Sequence, residues 1–200
     1  MRKLSCSRFI LFACLLLVGF EQPAGAHEKD LRKRTDAAGL TEISVCARPS
    51  PNAFGFPGHA FIAFSYQAAG GSRSFRAIGH TVAPTTGLAA AVFTYFSGGS
   101  VAGQQEEERY THLKQACLTL KVDREIYQRA LDAARPTLSA LGIPDAVAAS
   151  VERYSLNGHD CMDFISNVAQ PLKTAGLSTP ERAATDTPIA YIRKLIDANP

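Results

Sequence analysis

A chain of 200 residues with 46% hydrophobic and 20% charged side chains carries enough apolar material to bury the core of one domain. Its formal charge of +3 is small and no basic cluster stands out, so nothing electrostatic argues for nucleic-acid binding. The apolar run Phe9 to Phe20 falls short of the roughly 20 residues a membrane helix needs, and no other stretch approaches that length.

That run lies between MRKLSCSR and EQPAGA, the charged, apolar and small-residue order of a secretory signal peptide, with the cut expected after Ala26. Loss of Arg2, Lys3, Arg8 and Glu21 then brings the formal charge from +3 to +1. The expected organisation is a signal peptide over 1–26, a charged N-terminal arm over 27–40 and a single α+β domain over 41–200, exported to the periplasm or secreted. Export governs the cysteines too. Cys46, Cys117 and Cys161 remain, an odd number for an oxidising compartment. Cys46 and Cys117 fall in two expected strands and could bridge them, leaving Cys161 as the thiol. Spacing alone equally allows no bridge, or one that includes Cys161.

In chain order, HEKDLRKRTDAAG, from His27 to Gly39, is charged and lacks periodicity, as in a mobile arm or a solvated helix. Thr41 to Ala47 alternates as a half-buried strand does, and PSPNAFGFPG follows as a loop. HAFIAFSY (His59 to Tyr66) and SFRAIGHTV (Ser74 to Val82) are β-rich runs joined by QAAGGSR. A hairpin folded about Gly70 sets His59 close to opposite His80, near enough for the imidazoles to touch.

Ala83 to Gln105 reads as a long irregular connection whose apolar island, Leu88 to Phe96, either lines a substrate cleft through Phe93, Tyr95 and Phe96 or packs beneath the sheet. Glu106, Glu107 and Glu108 read as a solvated face. Gln115 to Val122 is a strand with Ala116, Leu118, Leu120 and Val122 on one side. Asp123 opens a helix through Ile126, Ala130 and Ala134, kinked or divided at Pro136, and a short helical piece is expected over Pro144 to Arg153. The C-terminal TPIAYIRKLIDANP is amphipathic, with Ile189, Ile192, Leu195 and Ile196 on its apolar side.

The most informative stretch is YSLNGHDCMDFISNVAQPLKTAGLSTP, from Tyr154 to Pro180. Asp160 is a good N-cap, with Asp163 in the position of a capping box. Phe164, Ile165, Val168 and Leu172 recur at helical spacing, and Gly176 and Pro180 supply the stop. Cys161 is thereby placed in the first turn, on the face of Phe164, Ile165 and Val168. Unpaired N–H groups and the macrodipole there favour thiolate. A buried cysteine that packs as a small hydrophobe fits the helix equally well.

The order of Gly58-His59-Ala60-Phe61, then His80, then Tyr154-Ser155-Leu156 followed by Cys161 and Phe164 resembles the circularly permuted papain-like thiol hydrolases, which include NlpC-type amidases and lecithin:retinol acyltransferase-like proteins. The resemblance runs from about Thr41 to Pro180, although Asp160 stands where that group often has asparagine. It implies an antiparallel sheet packed against a helix with the cysteine at its N-terminus, and the fold expected is α+β with about four to six strands. It also implies a covalent mechanism with Cys161 as nucleophile, His59 as general base and His80 orienting His59, with His159 as a third imidazole nearby. The activity implied is cleavage of amide bonds, cell-wall peptides first, with acyl transfer or lipid-ester cleavage as the alternative. The partner is then a peptide, peptidoglycan or lipid substrate. No cofactor and no nucleic acid are implied, and no residue pattern specifies an oligomeric state. Two other classes remain open at this stage. His59, His80, His159 and Cys161 are zinc-ligand types, though their spacing matches no compact zinc motif, and an exported binding domain without catalysis needs no reactive thiol.

Overall fold

The computed structural model describes residues 27–34, 39–51, 55–134, 151–156 and 158–200. The expected signal peptide and most of the helical piece expected over 144–153 lie outside the described residues.

Alternation of apolar and polar side chains produces a sheet of seven strands: β1 (His27–Asp30), β2 (Gly39–Ser50), β3 (Gly55–Ala68), β4 (Arg73–Val82), β5 (Val101–Glu107), β6 (Ala116–Lys121) and β7 (Val151–Tyr154). They lie in the order β1-β6-β2-β3-β4-β5-β7. β1 runs parallel to β6 and the other neighbours pair antiparallel. Five helices among the described residues complete an α+β fold: α1 (Leu88–Ser97), α2 (Arg124–Ala133), α3 (Cys161–Val168), α4 (Gln170–Thr174) and α5 (Pro188–Asp197). The sequence suggested about four to six strands.

The core lies on one face of the sheet. Ile43, Val45, Ala60, Ile62, Ile78, Leu118 and Leu120 meet Met162, Ile165 and Val168 of α3, Leu172 of α4, and Ile192 and Leu195 of α5. Each large side chain so buried contributes about 1.5–3 kcal/mol. The alternate residues turn to the other face, where Cys46, Phe61, Ala63 and Ala77 form a smaller cluster. Cys46 and Cys117 are direct cross-strand partners there and form a disulfide.

Five expectations change. PSPNAFGFPG, read as a loop, gives Pro49 and Ser50 to β2 and Gly55 to Gly58 to β3. The supposed arm begins as β1, whose His27 to Asp30 pair with Leu118 to Lys121. It reads as unstructured because an exposed edge strand has no apolar face to imprint alternation. The irregular Ala83 to Gln105 connection contains a full helix, α1, and most of β5. Val151 to Arg153, expected to close a helix, belongs to β7. Gln105 to Glu107 finish β5, and Glu108 is buried rather than solvated.

The hairpin forms as expected, but its register settles the histidines differently. Gln67 pairs with Arg73, Tyr66 with Ser74 and Ile62 with Ile78. Continued two residues further, that register sets His80 against Ala60, not His59. Side chains alternate along a strand, so a difference of one residue sends the two imidazoles to opposite faces.

Candidate active site

The thiol is delivered by the start of α3. Asp160 caps the helix, its Oδ1 accepting from the backbone N–H of Met162 at 2.8 Å and of Asp163 at 3.2 Å. The Asp163 carboxylate accepts from the Asp160 N–H at 3.2 Å, which closes a capping box. Asp160 is buried and also receives a two-pronged contact from Arg182: Nη1 donates to Oδ1 at 3.1 Å and Nη2 to Oδ2 at 2.5 Å. Burial pushes the Asp160 carboxyl upward, and Arg182 pulls against it.

Cys161 is the first residue of α3, is in no disulfide and is only 3% exposed. Its Sγ accepts from the Ala60 N–H of β3 at 3.5 Å. Burial first, and the Asp160 carboxylate second, push its pKa up to about 12, while the Ala60 N–H and Arg182 act in the opposite sense. The helix dipole favours thiolate, but desolvation of a charged sulfur outweighs a helix terminus worth about 1 kcal/mol. The resting group is a thiol, and use of this sulfur as a nucleophile would require a base to take its proton.

Cys161 opens into a cleft of about 330 Å³. Its lining is aromatic and aliphatic at Val92, Tyr95 and Phe96 of α1 and at Leu156, and Arg182 and Pro188 also line it. Phe93, expected in that lining, is outside it and 66% exposed. Tyr154 joins the cleft to the imidazole of His80, whose ring meets the Tyr154 ring edge-on with centroids 5.4 Å apart. His80 shares parity with Ile78 and therefore lies on the face of the sheet covered by α3. It lines a second cavity of about 300 Å³ with Gln105, Arg153, Asp163 and the exposed His159. Asp160 borders both spaces.

His59 is elsewhere. Its ring presses on Gly79, where an added Cβ would come within 2.4 Å of Nε2. Its Nε2 is 3.4 Å from Glu108 Oε2. Glu108 is already held by Arg48, with Nε to Oε1 at 3.0 Å and Nη2 to Oε2 at 2.9 Å, and its Oε1 accepts from the Tyr110 N–H at 2.6 Å. Burial lowers the His59 pKa to about 4 despite Glu108, so the ring is neutral at pH 7. This cluster occupies the face with Phe61 and the disulfide.

The sheet therefore brings Cys161 and His80 to one side and sets His59 on the other. It also divides the four zinc-type ligands, since His59 and Cys161 cannot reach a common ion through β3. Among the described residues no cluster of three or more His, Cys, Asp and Glu side chains is suited to hold a metal. Two participants escaped the sequence reading. Arg182 stands past the end of the cysteine helix with no motif around it, and Glu108 is hidden in a run of three glutamates. Only the three-dimensional partners Asp160 and Arg48 distinguish them.

Among the described residues no helix is long and apolar enough to cross a membrane. Comparison with protein-family models, with curated proteins and with solved structures found no match to this chain.

Proposed function

We propose that this protein is a thiol hydrolase of the permuted papain-like kind, exported, with Cys161 as nucleophile and His80 as its general base. The observation that carries the reading is the position of Cys161: it opens α3 at a cleft of about 330 Å³, on the sheet face that His80 shares. In the proposed reaction Cys161 Sγ attacks a substrate carbonyl while its proton passes to the imidazole of His80. The cap occupies the N–H groups of Met162 and Asp163, and the Cys161 N–H is the donor proposed for the tetrahedral oxyanion. A contact of that type is worth about 2.7–4 kcal/mol. Collapse breaks the bond to the amine or alcohol, which leaves with the proton from His80. Water, activated by the same imidazole, then hydrolyses the thioester.

His59, the base implied by the family resemblance, has a structural role in this reading, as its ring is committed to the Arg48 and Glu108 side of the sheet. Cell-wall peptide amides are the substrate class that the resemblance implies. The apolar wall of Val92, Tyr95, Phe96 and Leu156 favours the other class, an ester or amide with an apolar acyl group. Incubation with purified peptidoglycan, with phospholipid vesicles and with short- and medium-chain p-nitrophenyl esters, followed by intact-mass spectrometry, tests both. An acyl adduct on Cys161 that is absent in Cys161→Ala supports the mechanism, and the reagent that forms it names the class. Turnover that survives in Cys161→Ala would refute it.

A further inference from the structure

The reactive thiol has an unusual neighbour. A carboxylate caps its helix one residue away, and the electrostatic cost of placing a second negative charge beside it would oppose every step in which sulfur carries charge. The chain meets that cost with a cation drawn from a distant segment. Arg182, between α4 and α5, covers both oxygens of Asp160 and stands 3.7 Å from Asp163, and it lines the cleft into which Cys161 opens. Asp160 is 2% exposed, so solvent does little to screen the interaction.

We propose that Arg182 is a positioning residue for the thiol chemistry. By neutralising the Asp160 carboxylate it converts a charged cap into the electrostatic equivalent of a neutral one, and it fixes the segment around Arg182 as the polar wall of the cleft. This rests on the assignment of Cys161 as the reacting group. Among the described residues, Tyr154 of β7 lines the same cleft, Asp163 of α3 closes the capping box, and His80 meets the Tyr154 ring from the adjoining cavity. Arg182 is the cation directed at the cap. The opposing influences on the sulfur fit this arrangement: Asp160 raises the thiol pKa and Arg182 lowers it.

Asparagine caps a helix about as well as aspartate but carries no charge, so the coupling can be tested by rescue. The rate of Cys161 alkylation by iodoacetamide, followed by mass spectrometry from pH 6 to pH 11, is measured for the wild type, Arg182→Gln, Asp160→Asn and the double variant. The thiolate fraction falls tenfold per pKa unit while nucleophilicity partly compensates, which leaves a change of about threefold in rate per unit. Arg182→Gln is expected to slow alkylation by at least threefold and shift the profile to higher pH. Asp160→Asn is expected to accelerate it, and the double variant to return to within about twofold of the wild type. A double variant as slow as Arg182→Gln, or an Asp160→Asn rate equal to the wild type, would overturn the proposal. Should Arg182→Gln fail to fold by circular dichroism, the Asp160→Asn rate decides alone. Because the readout is thiol reactivity and not turnover, a protein without hydrolase activity that still shows the rescue would refute the enzymatic reading and leave this coupling standing.

Discussion

At the scale of single residues, desolvation decides more than proximity does. His59 lies 3.4 Å from a carboxylate and would be expected to hold a proton, yet burial lowers its pKa from 6.5 to about 4. Glu108 has little attraction to spare because Arg48 holds both of its oxygens. The unfolded chain therefore binds a proton that the folded protein rejects between pH 6.5 and about pH 4. Stability rises with pH across that window and falls as acid is added, by about 3 kcal/mol in all from this one group. Urea denaturation at pH 7, 5.5 and 4 should show the loss, and His59→Gln should flatten it. An unchanged slope in that variant would contradict the assignment. The same logic makes Cys161 a thiol at rest despite its place at a helix terminus.

At the scale of elements, α3 depends on its cap. Asp160→Ala removes two acceptor contacts and strands Arg182, and a loss of about 1–2 kcal/mol in chemical denaturation is expected, against a few tenths for Asp160→Asn. Equal losses in the two variants would show that the cap bonds are not what matters. That cap was legible in the sequence, as were the hairpin, the strand with Ala116 to Val122 on one side and the amphipathic α5, because each combines a periodic apolar face with a recognisable start or stop. Other elements left weaker traces. α1, from Leu88 to Ser97, has no charged residue to mark a polar face, and β1 is an exposed edge strand. The hairpin register was the consequential miss. Gly70 announces a turn but does not state which residue pairs with which, and a shift of one position put His80, not His59, on the sheet face that α3 covers. Arg182 could not be found from sequence because its meaning lies entirely in a contact 22 residues away.

At the scale of the whole molecule, one sheet separates two chemically distinct faces. The face covered by α3 and α5 carries the main core, the thiol and His80, while the other carries the ion pair of Arg48 with Glu108, His59 and the disulfide. The disulfide joins neighbouring strands separated by 71 residues, so its loss releases a large loop in the unfolded chain. Cys46→Ala with Cys117→Ala should lower stability by about 2–5 kcal/mol in urea titrations, and a loss within error of zero would show that strand pairing alone holds this face. The division between faces also predicts which histidine matters to chemistry. The most direct measurement is kcat/KM for the best ester or amide found, compared side by side in Cys161→Ser, His80→Ala and His59→Ala, each checked for folding by circular dichroism. Turnover is expected to fall by at least a hundredfold in the first two and to survive in His59→Ala, with its cost seen in stability. Activity retained in His80→Ala and abolished in a folded His59→Ala would contradict the pairing of Cys161 with His80.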